Sequence, residues 1–323
     1  MSLNLYQTPP SGGGGTRVAV MDLGTNTFHL LIAEPNADTF FTEIHHDYVG
    51  VKLGEGGINE GTIKPEAYKR GIDTLLHFHE LIEQYGAQAV KAIATSAMRS
   101  ASNGQQFMDE VKQRTGITIE TISGDKEAAY IFEGVKASGC MQQDNSLIVD
   151  IGGGSVEFIL GNSGKILYKQ SFEIGAARLM ARFHKTDPIA YNEIEALNKY
   201  LDEKLAPLFD AVSQHAIKNI IGSSGAFETF AEMVELDKGY VFDLAQTITY
   251  HFNNGNLLQI LNKLVQSTHN ERAETKGIIP VRVDMIVVAS LLTRYLMNRL
   301  QITDVTMSAY SLKEGVLAEL FRK

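Results

Sequence analysis

Two stretches of this chain are copies of one pattern: Val18 to Thr27, reading Val-Ala-Val-Met-Asp-Leu-Gly-Thr-Asn-Thr, and Leu147 to Ser155, reading Leu-Ile-Val-Asp-Ile-Gly-Gly-Gly-Ser. In each, an apolar run ends on an aspartate (Asp22, Asp150), a glycine turn follows, and a second apolar run resumes, Phe28 to Ala33 or Val156 to Leu160. Apolar runs bounded by glycine predict buried strands, so each turn sits at the tip of a strand pair. Glycine lacks a Cβ, which lets such a turn bring backbone N–H groups close to an anion. Thr25, Thr27 and Ser155 add hydroxyl donors. The carboxylates of Asp22 and Asp150 repel an anion unless a hard cation such as Mg²⁺ lies between them. A single Asp-x-Gly is equally an ordinary turn; the duplication favours binding.

The repeat extends beyond the turns. Third strands are expected at Thr42 to Leu53 and Lys165 to Ile174, then helical pattern, then buried strands Val90 to Ala94 and Asn219 to Gly222, each leading into a helix. Short strands near Thr118 to Thr121 and Asp304 to Met307 complete the halves. Each unit is thus three meandering strands followed twice by a helix and strand, an α/β design with a mixed five-stranded sheet covered by helices. Two units predict two lobes with a cleft. Helices are expected at Pro65 to Tyr85, Asn103 to Arg114, Asp125 to Ala137, Ala176 to Phe183, Ala190 to Ala211, Ser224 to Leu236, Asn254 to Val265, Val281 to Leu300 and Ser311 to Arg322.

A chain of 323 residues, 44% hydrophobic, suffices for two cores. The expected division is a flexible leader at 1–15, rich in proline, serine and glycine, a first lobe at 16–124, and a second at 125–310. The helix at 311–323 is a candidate to rejoin the first lobe. One cysteine, Cys140, excludes an internal disulfide, and no signal peptide or long apolar span is evident, so the expected compartment is the cytoplasm with no membrane partner. A formal charge of −9 argues against a nucleic-acid polymer as ligand.

Several further residues are candidates for chemistry. Gly222, Ser223, Ser224 and Gly225 lie between a strand and a helix, where glycines and hydroxyls suit a ligand or simply a turn. Ser123 to Ala128 opens a helix; Asp125 and Glu127 suit its first turn electrostatically, or Glu127 orients a water for attack on phosphorus. Glu157 interrupts the apolar run Val156 to Leu160, and a carboxylate there is costly unless paired or bound to a metal. Arg99 and Arg178 follow strand ends and can clamp phosphate or pair on the surface. Arg282, Lys52, Lys126 and Lys313 are weaker members of the same basic set. His45 and His46 beside Asp47 point to opposite faces of a strand and read as ordinary strand positions; His29 lies just past the first turn, where it can help position it.

Taken in order, Asp22 to Thr27, Ala94 to Arg99, Ser123 to Ala128, Asp150 to Glu157, Gly175 to Leu179, Gly222 to Gly225 and Ser311 to Leu317 make the chain from about Arg17 onward resemble the exopolyphosphatase and guanosine pentaphosphate phosphohydrolase family. That family lies within the actin, sugar-kinase and chaperone-ATPase superfamily. The resemblance implies two duplicated ribonuclease-H-like domains, Mg²⁺ dependence, and hydrolysis of terminal phosphoanhydrides on inorganic polyphosphate or guanosine pentaphosphate. It implies Glu127 as catalytic base, with Glu157 and Arg99 as further catalytic groups and Asp22, Asp150 and Glu157 as metal acids. Its phosphate-binding set is Gly24, Thr25, Asn26, Thr27, Gly152, Gly153, Gly154, Ser155, Gly222, Ser223, Ser224, Arg178 and Arg282. Lys126 stands where many relatives carry an acid, which leaves an alarmone-binding sensor as an alternative, and Lys313 where they often carry arginine. The chain is expected to be the short two-domain form, with a homodimer as a candidate state.

Overall fold

The computed structural model describes residues 16–322, so the leader at 1–15 lies outside the described residues. Those described divide into two units: one through Ser123 plus the chain from Val316 on, the other Gly124–Gly315. The second unit therefore begins at Gly124 and runs past 310.

In the first unit β1 (Val18–Leu23), β2 (Phe28–Asn36) and β3 (Phe40–Val49) form an antiparallel meander. After α1 (Pro65–Gln84) comes β4 (Ala89–Ala94), then α2 (Ser96–Ser100), α3 (Gly104–Thr115) and β5 (Ile119–Thr121). The sheet order is β3-β2-β1-β4-β5, with β1, β4 and β5 parallel. Ala19, Met21 and Leu23 alternate inward with Phe28, Leu30 and Ile32, burying against Leu75, Phe78 and Phe107 of α1 and α3. Asp22, of alternate parity, falls on the other face.

The second unit repeats the plan. It contains α4 (Gly124–Ala137), β6 (Ser146–Ile151), β7 (Val156–Asn162), β8 (Lys165–Phe172), α5 (Ala176–Phe183), α6 (Tyr191–Lys204), α7 (Ala206–Val212) and β9 (Asn219–Ser223). Then come α8 (Gly225–Asp237), β10 (Thr249–His251), α9 (Asn254–Gln266), α10 (His269–Glu274), α11 (Ile286–Leu300) and β11 (Val305–Ser308), and the chain ends in α12 (Leu312–Phe321), of which residues through Gly315 belong to this unit and the rest to the first. Its sheet has six strands, not the expected five, in the order β10-β11-β9-β6-β7-β8. Without β10 this is the order of the first sheet. The extra strand is three largely exposed residues on an edge, paired antiparallel to β11, too short and polar to give a strand pattern.

Two helices also differ from expectation. The single helix expected at Ala190 to Ala211 is broken at Leu205, because Pro207 in the first turn of α7 cannot continue the α6 ladder. The helix expected from Val281 starts at Ile286; residues 281–285 are turns, and the Val283 carbonyl is taken by the Arg272 guanidinium at 2.7 Å. Val149, Ile151, Val156, Phe158 and Leu160 pack with Phe227, Leu261 and Leu292 on one face. The opposite parity carries Asp150 and Glu157, on the side where α4 packs against β7 and β8.

Candidate active site

A polar row crosses five strands of the second sheet in register: Ser308, Ser223, Asp150, Glu157 and Ser171. Cross-strand partners share a face, so the two carboxylates stand side by side. Asp150 is 6% and Glu157 1% exposed. Each is held by hydroxyls. Ser223 Oγ donates to Asp150 Oδ2 at 2.6 Å and Ser311 Oγ donates to the same oxygen at 2.5 Å. Ser171 Oγ donates to Glu157 Oε1 at 2.5 Å. Burial pushes the Asp150 carboxyl up from its ordinary value, opposed by the hydroxyls of Ser223, Ser311 and Ser224 and by the Lys313 ammonium. Among the described residues, Asp150 Oδ1 receives no hydrogen bond.

Glu127 is buried in the first turn of α4. That helix is brought down at Gly124, whose ideal Cβ would lie 2.4 Å from Ser171 Cβ. The same serine therefore supports Glu157 and abuts the start of the helix bearing Glu127. Lys126 lies over the Tyr130 ring, 4.2 Å from its centroid.

The second loop is fastened through its carbonyls. Gly175 N donates to Gly154 O at 3.2 Å, Ala176 N to Gly152 O at 2.9 Å and Ala177 N to Gly153 O at 2.9 Å. The loop thus occupies donors at the N-terminus of α5 that lack helical partners. Contact is close enough to demand glycine at 175, where a Cβ would lie 2.4 Å from the Gly153 carbonyl carbon. Arg178 reinforces it, donating from Nε to Gly154 O at 2.8 Å while pairing with Glu173 at 2.7 Å. With the carbonyls committed, the N–H groups of Gly153, Gly154 and Ser155 donate to no backbone or side-chain acceptor among the described residues. Clustered backbone donors of this kind suit an anion.

The first loop uses the same device with a different anchor. Gly24 N donates to Thr27 O at 3.2 Å, and the carbonyls of Asn26 and Thr25 accept from Lys52 N at 2.8 Å and Gly54 N at 3.1 Å. Asp22 is flanked in register by His29 and Ile93, where Asp150 is flanked by Glu157 and Ser223. Arg99, in α2 of the same unit, donates from Nη1 to the Ile122 carbonyl at 3.0 Å.

Gly222 to Gly225 contributes mainly support. Ser223 holds Asp150; Ser224, at φ 66°, donates to the Ile151 carbonyl at 2.9 Å. Gly222 lies against the Phe227 ring and Gly225 against the Arg282 guanidinium. Arg282 is paired with Glu228 at 2.8 Å and Thr229 at 3.1 Å. Sequence reasoning assigned no role to Ser171, Ser308 or Ser311. Ser308 Oγ donates to Tyr310 O at 2.7 Å, shaping the turn that delivers Ser311. A serine in each of Lys165–Phe172 and Val305–Ser308 is a signal only once the strand register is known.

The Ppx/GppA phosphatase family model matches residues 31–323. Exopolyphosphatase 2 of Mycobacterium tuberculosis is 29% identical over 317 residues, covering 94% of this chain and 98% of that protein. The crystal structure of an exopolyphosphatase from Cytophaga hutchinsonii superposes with a TM-score of 0.92 at 40% identity, covering 95% of this chain and 98% of that one. A Ppx/GppA enzyme from Aquifex aeolicus, 24% identical, shares the fold with a TM-score of 0.78 over 95% of this chain and 100% of that one. With its duplicated sheets, the chain belongs to the Ppx/GppA phosphatase family.

Proposed function

We propose that this protein is an exopolyphosphatase, a phosphoanhydride hydrolase that releases terminal orthophosphate from inorganic polyphosphate. The observation that carries the reading is the second loop: its carbonyls are bound to α5, its amides are left as donors, and two buried carboxylates stand behind it. That arrangement suits a phosphoryl group, and the likeness to the Cytophaga hutchinsonii exopolyphosphatase supplies the substrate class.

Asp150 fits a divalent cation, since hydroxyls saturate one oxygen and leave Oδ1 open. No group of three or more His, Cys, Asp or Glu able to hold a metal occurs among the described residues. A cation there would keep water or phosphate oxygens as its other ligands, which is the habit of Mg²⁺. Asp150 would hold it with Glu157 beside it, and the ion would supply neutralisation of phosphoryl oxygens; Asp22 is the corresponding acid of the first loop. Gly153, Gly154 and Ser155 orient the terminal phosphate; Gly24, Thr25, Asn26 and Thr27 form the equivalent cradle of the first unit. Glu127 aligns the attacking water and takes its proton; Arg99 is the candidate phosphate-contacting cation of the first unit. A loose phosphoryl-transfer transition state asks mainly for such placement and charge stabilisation. Arg178 and Arg282 act on the phosphate through the loop and helix they brace.

The deciding assay is phosphate release from medium-chain polyphosphate and from guanosine pentaphosphate, with and without Mg²⁺. Mg²⁺-dependent turnover favouring polyphosphate is expected; turnover confined to the nucleotide moves the assignment to the family's other activity, and tight nucleotide binding without release to a sensor. Glu127→Gln keeps the fold by circular dichroism and loses most turnover, by about 10²–10⁴-fold. An equally active variant removes Glu127 from the mechanism.

A further inference from the structure

The segment that anchors the first loop carries a lysine whose position asks for explanation. Lys52 has φ 49°, in the left-handed region that glycine or asparagine occupies at lower cost. Its backbone is fixed from both sides. Its N–H donates to Asn26 O, and Arg70 donates to Val51 O at 2.8 Å and to Lys52 O at 3.4 Å. The nearby acid, Glu55, is already paired with Arg70 at 2.7 Å. Lys52 itself is half-buried, and its ammonium makes no hydrogen bond or ion pair among the described residues. A strained backbone thus holds a cation with no partner among the described residues, one hydrogen bond from the Asn26 carbonyl of the first loop. Strain of this kind concentrates at functional sites.

We propose that Lys52 is a substrate-binding residue, its ammonium taking an oxygen of the phosphate group held at the Thr25 to Thr27 loop. Lysine suits this, being a compact charge on a flexible stem that can follow an anhydride chain. The assignment rests on the exopolyphosphatase reading for its substrate and on the anchor geometry for its position.

Lys52→Gly is the informative variant, because it deletes the charge and relieves the backbone. Its thermal midpoint is expected to equal or exceed that of the parent protein. KM for medium-chain polyphosphate rises at least about tenfold, as for loss of a hydrogen bond to a charged group, with a smaller change in kcat. Titration with inorganic tripolyphosphate in the absence of Mg²⁺ shows a matching loss of affinity and a shallower salt dependence, and Lys52→Arg restores most of both. KM and tripolyphosphate affinity within about twofold of the parent overturn the proposal. Should the parent release no phosphate from polyphosphate, the activity assignment falls, while the tripolyphosphate titration still decides whether Lys52 contacts the anion.

Discussion

At Asp150 two serine hydroxyls converge on one carboxylate oxygen, one from the adjacent strand and one from the turn before α12. Ser311→Ala removes one donor from a buried charged group, a change that costs about 1–3 kcal/mol. Denaturant unfolding should show that loss in the parent background and a smaller one with Asn at position 150, where less charge needs support; equal losses in both backgrounds would place the effect elsewhere. The acids themselves were legible in the sequence, because Asp150 ends an apolar run and Glu157 interrupts one. Their serine partners were not, since a serine in a strand has no evident role until the register sets it opposite Asp150 or Glu157. Arg178 shows the reverse case. Its placement after a turn left a phosphate clamp and a surface pair both open; its Nη2 pairs with Glu173 while its Nε donates to the Gly154 carbonyl, a bond that only the folded loop discloses.

Among elements, α4 and α12 cross with their backbones in contact. An ideal Cβ at Gly315 would lie 1.8 Å from the Tyr130 carbonyl oxygen, and one at Gly134 would lie 1.9 Å from that of Ser311. No side-chain rotation relieves contact with backbone, so Gly315→Ala forces the helices apart and withdraws Ser311 from Asp150. Overpacking of this severity costs about 1–3 kcal/mol or more. Urea unfolding is expected to show it together with weakened Mg²⁺ binding; a loss below about 0.5 kcal/mol would mean that the crossing yields freely. Amphipathic spacing made most helices legible, including Ala176–Phe183 at both ends. It failed where a different constraint prevailed: Pro207 splitting α6 from α7, the Arg272 hydrogen bond holding residues 281–285 out of α11, and the brevity of β10 and α10.

For the whole molecule, duplication was the legible feature, because both sheets run in the same order around an aspartate-tipped central strand. What the repeat could not disclose is the added helical layer of the second unit, whose polar hub is Arg272. This arginine, 1% exposed, donates to Val283 O and Asp187 Oδ1 as well as to Ser267 O. The hub makes the second unit sensitive to acid. Burial, then the Arg272 charge, holds the His184 pKa below its ordinary value. For Asp187, burial pulls upward but is outweighed by the His269 N–H and the Arg272 guanidinium; for Glu193, burial is outweighed by the Thr186 hydroxyl and the N–H groups of Ala190, Lys185 and Thr186. All three therefore bind protons less readily when folded. The His184 contribution is present above about pH 6.5 and lost as pH falls through its lower folded value; the carboxylate contributions are present above about pH 4 and lost below it in the same way. Asp150 has the opposite sign, since its raised pKa means that acid relieves part of its burial cost. Hydrogen exchange corrected for intrinsic rates should show protection in residues 184–193 and 267–284 declining from pH 7 to pH 2, with the fall below about pH 4 gentler in Asp187→Asn. Protection independent of pH, or an undiminished slope in that variant, would mean that the Arg272 hub does not govern acid stability.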